Sequence, residues 1–218
     1  MLGLDYIVFT IAGKSTSVIE LLAAVSGLIC VFFASRAKIL NFWVGYIYTV
    51  LLFLMFMDKH LYSSMLLQPV SLILNIFGHY RWTHPKPGEE NKKKELIITL
   101  LSNRKRILHL LMIVMGAVVW GFILTRLPQT FNPARLPYLD AFITMTILTA
   151  LYLSAQKKLE CWAAWLTVNV SNLILYILAG WVFMPFVAGC YLIFATMGFI
   201  TWKRKYKEDL DKNNHVGN

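Results

Sequence analysis

Two tryptophans and two asparagines recur along one stretch of this chain: Trp162, Trp165, Asn169 and Asn172, spaced i, i+3, i+7 and i+10. On a helix, at roughly 100° per residue, they fall within an arc of about 80°. Indole faces attract a cationic ring by cation–π contact, about 2 kcal/mol or more once water is excluded. A carboxamide offers donors and an acceptor to hydroxyls or to another amide. Such a stripe suits a solute that combines a positively charged ring with polar substituents. The same residue types also serve as an interfacial aromatic belt and as helix–helix glue. Trp162, nearest the start of its segment, fits the belt best, whereas Trp165 and Asn169 lie one to two turns deeper and fit a binding role.

A second row, Gln68, Ser71, Asn75, Gly78 and Trp82, also shares one helical face. Pro69 follows Gln68, removes a backbone donor and frees a carbonyl one turn back, as suits a helix that bends or lines a cavity. The bland alternative for each of these amides is a bond to a neighbouring helix. Upstream, Asn41 and Tyr48 share a face and Trp43 and Tyr46 share another, with Thr49 close by. Which of those faces points inward stays open. Asp140 could bind a cation or a substrate hydroxyl, or simply be hydrated or cap its helix. His79 and His109 lack ligand-spaced partners, and there is no P-loop, nucleophile elbow or mid-membrane carboxylate pair. No metal, no cofactor and no enzymatic activity are expected.

The elements that must carry these residues are membrane helices. Of 218 residues, 58% are apolar, 14% aromatic and only 15% charged, where a soluble domain has about a quarter charged. That composition excludes a disordered chain, a disulfide-stapled module and an ordinary cytosolic enzyme. The net charge of +10 sits in short clusters between apolar runs, so no nucleic-acid partner is expected. Hydropathy predicts seven crossings, at 17–35, 39–57, 61–82, 107–125, 139–155, 160–179 and 183–202, helical because lipid leaves backbone groups no other partners. Residues 1–16 read as an extracytoplasmic interfacial segment with no removable signal peptide, and 203–218 as a cytoplasmic tail. Residues 83–106, with Pro85, Pro87, Gly88, Lys92, Lys93 and Lys94, read as a solvated linker ending in an interfacial basic stretch. Membrane lipid headgroups are its default partner. A Pro-rich loop surrounds Pro128, Pro133 and Pro137. Cys30, Cys161 and Cys190 read as small packing residues. Lys and Arg gather after the first, third and fifth crossings and in the tail, which puts the N-terminus outside and the C-terminus in the cytoplasm.

An offset of 120 residues carries Glu20 onto Asp140, Lys38 onto Lys158, Gly78 onto Gly198 and Trp82 onto Trp202. It divides the chain into three-helix units at 17–82 and 139–202, joined by 83–138 with a fourth helix that restores direction. The fold class is therefore an all-α, seven-helix membrane protein with a 3+1+3 parallel repeat. Parallel repeats with a site between them near the midplane are a transporter architecture. Gly45 takes the repeat position of Trp165, and Thr49 that of Asn169.

The segment Trp162-x-x-Trp165-x-x-x-Asn169-Val170 resembles the signature of the PnuC family of vitamin transporters, as do Leu66-Leu67-Gln68, Asn75-x-x-Gly78-x-Tyr80-x-Trp82 and Asp140. The resemblance spans essentially the whole chain. It implies a fold similar to a full-length version of the SWEET sugar transporters, with nicotinamide riboside as substrate, because thiamine and riboflavin relatives differ at the Trp/Asn motif. It also implies that Trp162, Trp165 and Asn169 embrace the nicotinamide, assisted by Gln68 and Asn75. Tyr48 and Met197 stand where some members have Asn, so no polar contact is expected from them. A bacterial inner membrane, a homotrimer and facilitated diffusion with trapping by cytosolic phosphorylation follow by the same implication. The rival readings are a carrier of thiamine or another cationic vitamin, and a non-transporting structural protein or lipid-modifying enzyme.

Overall fold

The computed structural model describes residues 6–11, 14–58, 62–91, 94–126, 136–178 and 183–214. Residues 1–5, Lys92, Lys93, Pro128 and Pro133, all named above, lie outside the described residues. Seven helices follow a short antiparallel hairpin: β1 (Ile7–Ile11), β2 (Lys14–Ser17), α1 (Val18–Ser35), α2 (Leu40–Asp58), α3 (Tyr62–Thr83), α4 (Asn103–Arg126), α5 (Pro137–Ala155), α6 (Cys161–Leu178) and α7 (Phe183–Asn214). The hairpin is an addition to the expected all-α architecture, and its run Ile-Val-Phe-Thr-Ile is of strand-favouring type. Ser17 ends β2 and caps α1. Its Oγ accepts the Glu20 N–H, and the Glu20 carboxylate accepts the Ser17 N–H at 2.8 Å, a reciprocal capping box.

Among the described residues, six helices are long and apolar enough to cross a membrane, and α3 is not one of them. That corrects the count of seven apolar crossings. The reason lies in how α3 packs: Gln68, Ser71 and Gly78 are buried, while Leu66, Val70, Ile73 and Ile76 face outward. A helix that turns its polar side onto neighbouring helices tolerates a composition that lipid alone would reject.

Neighbouring helices close a ring in the order α1, α2, α3, α5, α6, α7 and back to α1. α4 packs on α5 through the buried stripe Ile113, Ala117, Gly121 and Leu124, and presents Leu111, Met115, Val118 and Phe122 outward.

Several contacts recur 120 residues apart. Ala37 (φ 54°) and Lys157 (φ 53°) both adopt the left-handed conformation that ends α1 and α5. The Trp82 indole N–H donates to the Ser154 carbonyl at 3.1 Å, and that of Trp202 to the Ala34 carbonyl at 3.0 Å. Phe42 meets Trp82 edge-on at 5.0 Å, and Trp162 meets Trp202 edge-on at 5.5 Å. Gly78 lies against the Phe42 ring and Gly198 against the Trp162 ring, each closer than a Cβ would allow. Gly198→Ala should therefore destabilise the protein by about 1–3 kcal/mol. Thermal unfolding in detergent checks this against Gly189→Ala, where an added Cβ would meet nothing within 4 Å.

The linker after α3 is not simply solvated. Leu96, Ile98 and Leu101 are buried in one cluster with Trp82, Trp162 and Trp202. They strap across the basic end of the bundle, where α3 and α5 finish and α6 begins. Thr99 pairs its backbone with Lys157 and Leu159 at 3.2 and 3.0 Å, and Glu160 holds the Leu101 N–H and Arg106. Burial alternates along the strap, with Leu96 and Ile98 in the core and Ile97 and Thr99 only half-buried, as the period of two of an extended segment dictates.

Lys157 fastens the strap. Its ammonium donates to the Leu96 carbonyl at 2.7 Å and lies 4.4 Å from the centre of the Trp82 ring. Burial pushes this amine down from 10.5 to about 8. Between those two values the unfolded chain holds a proton that the folded chain has released, so stability rises with pH across that window. Wild-type protein should gain melting temperature relative to Lys157→Met on going from pH 8 to pH 10. Equal pH dependence in the two proteins would contradict the assignment.

Candidate functional site

Polar side chains that would be costly in hydrocarbon are gathered on the inner side of the helix ring, in two groups. The first joins α2 and α3. Asn41, Gly45 and Thr49 form the buried face of α2. Thr49 Oγ1 donates to the Gly45 carbonyl at 2.7 Å and accepts from the Asn75 amide at 3.5 Å. Gly45 lies beside this pair, where a Cβ would make ordinary contact, 3.5 Å from the Asn75 amide and from Cys30 Sγ. Gln68 and Ser71 bond back to carbonyls of their own helix, Ser64 and Leu67, at 3.1 and 3.0 Å.

The second group belongs to α6. Trp165 is half-buried against the aromatic cluster, and its indole N–H donates to Ser154 Oγ at 3.1 Å. Asn169, one turn on, is only 8% exposed. A carboxamide at this place can both donate and accept hydrogen bonds. Asn172 is half-buried on the same stripe.

The remaining candidates separate. Trp43 is 57% exposed and stacks edge-on with Tyr46 and His79 on the outer surface. On α2 it is the Asn41 face that points inward, since Asn41, Gly45 and Thr49 are buried and Trp43 is exposed. Tyr46 is half-buried, its hydroxyl 2.8 Å from His79 Nδ1. Asp140 is half-buried in the first turn of α5, where the helix dipole favours a carboxylate. Trp162 does not lie in a lipid belt. It is 1% exposed within the core, wedged between Trp202 and Gly198, and its Nε1 has no partner among the described residues.

Two residues, Tyr191 and Ser154, go beyond those expected. Tyr48, read as carrying no polar contact, shares a hydrogen bond with Tyr191 of α7, and Tyr176 and Cys30 lie near enough to interact with it. The Tyr191 hydroxyl rests on Gly27. Tyr191 is the mate of Ser71 at the 120-residue offset, so the repeat was the signal that pointed to it. Ser154 left no such signal, because its role depends on a contact with another helix.

A closed ring of apolar helices that shelters amides, hydroxyls and an indole defines a multi-pass membrane carrier. Its buried polar residues are turned inward, away from lipid. The chain belongs to the nicotinamide mononucleotide transporter family, whose model matches residues 17–204, and it is a membrane transporter rather than an enzyme. It is 30% identical over 190 residues to the nicotinamide riboside transporter PnuC of Escherichia coli, covering 77% of each chain. With the PnuC of Neisseria mucosa it is 27% identical over 214 residues, covering 94% of this chain and 79% of the relative. A crystal structure of the vitamin B3 transporter PnuC superposes with a TM-score of 0.71 at 24% identity, over 88% of this chain and 83% of the other. That likeness establishes the common fold.

Proposed function

We propose that this protein carries nicotinamide riboside across a bacterial inner membrane. The observation that carries the reading is the pinned indole of Trp165 one turn from the Asn169 side chain, which is only 8% exposed. A pyridinium has the charge and flatness to lie on that indole, and a carboxamide or ribose hydroxyl satisfies the amide. The names of the curated relatives support the same substrate. Gln68, Ser71, Asn75, Thr49 and Tyr48 face it from the other unit, and Asn172 extends the α6 stripe.

The 120-residue recurrence of the helix ends, indole bonds and Gly–aromatic pairs supports a 3+1+3 duplication, with units 17–82 and 139–202 and a SWEET-like plan. Rocking of the units then gives alternating access, with the N-terminus outside and the basic end in the cytoplasm. With no carboxylate or other ion carrier beside Trp165 and Asn169 among the described residues, the transport is facilitated diffusion. Phosphorylation inside the cell traps the solute, and homotrimers and lipid contacts complete the assembly implied by the resemblance.

The family description names the mononucleotide, whereas the relatives are riboside transporters. Charge favours the riboside. Among the described residues the cations nearest the core, Arg81, Lys157 and Lys158, lie at the basic end, committed to Glu89, Leu96 and Thr99. A phosphate taken into the ring interior would be buried without a counter-charge, at a cost of several kcal/mol. Calorimetry on purified protein should show saturable binding of nicotinamide riboside and at least tenfold weaker binding of the mononucleotide, thiamine and riboflavin. Mononucleotide binding as tight as riboside binding overturns the reading, and preference for thiamine transfers it to another cationic vitamin.

A further inference from the structure

Ser154, in the last turn of α5, divides its two oxygens between two tasks. Its carbonyl accepts the Trp82 indole N–H at 3.1 Å and the Lys157 N–H at 3.0 Å, closing the helix end. Its hydroxyl accepts the Trp165 indole N–H at 3.1 Å and also bonds the Cys161 thiol.

The other half of the chain provides an internal control. Ala34, 120 residues earlier, accepts the Trp202 indole N–H at 3.0 Å and the Ala37 N–H at 2.9 Å, and the helix ends in the same left-handed turn. That closure is made with no hydroxyl at all. At the position matched to Trp165 stands Gly45. Hydroxyl and indole are therefore present together in one half and missing together in the other. Nor does Ser154 follow the habit of hydroxyls elsewhere in these helices. Thr49, Ser71, Thr146 and Thr149 each donate to the carbonyl one turn back, at 2.7 to 3.0 Å, whereas the Ser154 hydroxyl reaches across the helix interface to α6.

We propose that Ser154 is a positioning residue for the solute site. Its Oγ fixes the plane of the Trp165 indole, so the ring face is already set when the cationic solute arrives. This rests on the reading of Trp165 given above. The indole N–H cannot be left bare in the interior without cost, and Oγ is the acceptor that fixes its direction. An indole fixed beforehand has less rotational freedom to lose on binding, and that raises affinity without adding a contact to the solute.

The test is a double-mutant cycle between Ser154→Ala and Trp165→Phe, read by calorimetry with nicotinamide riboside. Ser154→Ala should weaken binding about five- to tenfold, while its melting temperature stays close to wild type, because the carbonyl that closes α5 remains. Ser154→Thr, which keeps Oγ, should restore most of the affinity. In the Trp165→Phe background, with no indole N–H to hold, Ser154→Ala should have no further effect. The same five- to tenfold loss in both backgrounds, or a loss that Thr does not repair and that tracks a falling melting temperature, overturns the assignment. If Trp165→Ala abolishes binding and Ser154→Ala changes nothing, the Ser154 role alone falls. If Trp165→Ala leaves affinity intact, the site reading falls and the Ser154 role with it.

Discussion

Trp165→Ala should weaken nicotinamide riboside binding by roughly 30-fold and leave the fold largely intact. The magnitude follows from a desolvated cation–π contact of about 2 kcal/mol, with about 1.4 kcal/mol per tenfold in affinity. The small effect on stability follows from position. Trp165 is half-buried at the edge of the aromatic cluster, and its one hydrogen bond ends on a serine hydroxyl. Calorimetry and thermal unfolding on the same preparation separate the two effects. A variant that binds normally but melts early would show that the indole only packs helices, which is the non-transporting reading. Asn169→Leu should act in the same direction on affinity, since it removes the most deeply buried amide on this stripe.

Trp162→Ala should do the reverse, costing about 3–5 kcal/mol of stability, the range for truncating a buried aromatic ring. Trp162 is 1% exposed, meets Trp202 edge-on at 5.5 Å and fills the space that Gly198 leaves. Trp162→Phe should be far milder. Phe42 already occupies the matched place, edge-on to Trp82 with Gly78 behind it. The exchange also removes a buried indole N–H that has no partner among the described residues, offsetting part of the lost volume. Melting temperatures of the two variants in detergent decide the matter. If Trp162→Ala melts like wild type but loses the solute, Trp162 belongs to the binding face, as the family resemblance implies.

The two tryptophans of one motif thus part company, and the reason is geometric. Residues three apart on a helix share a stripe, but other helices can cover one part of a stripe and leave the next part less buried. Trp162 lies where α7 and the strap cover α6, and Trp165 one turn beyond. The same limit governs α2. Periodicity separates the Asn41 face from the Trp43 face, yet only the approach of α3 to Gly45 selects the first. The strap is a stronger case. Leu96, Ile98 and Leu101 lie in a segment rich in Pro and Lys, where composition says solvent, and they are buried by aromatic rings that begin or end three other helices.

Membrane character, the apolar crossings, the two polar stripes and the 120-residue recurrence were legible in the order of residues. Each is a matter of composition or of spacing within a single helix, and a bilayer punishes local errors in either. The membership of the core, the inward face of α2, the pairing of Tyr48 with Tyr191 and the bond from Trp165 to Ser154 were settled by tertiary structure. They join groups on different helices, and a helix can rotate about its axis without changing its own pattern. Only packing against its neighbours stops that rotation.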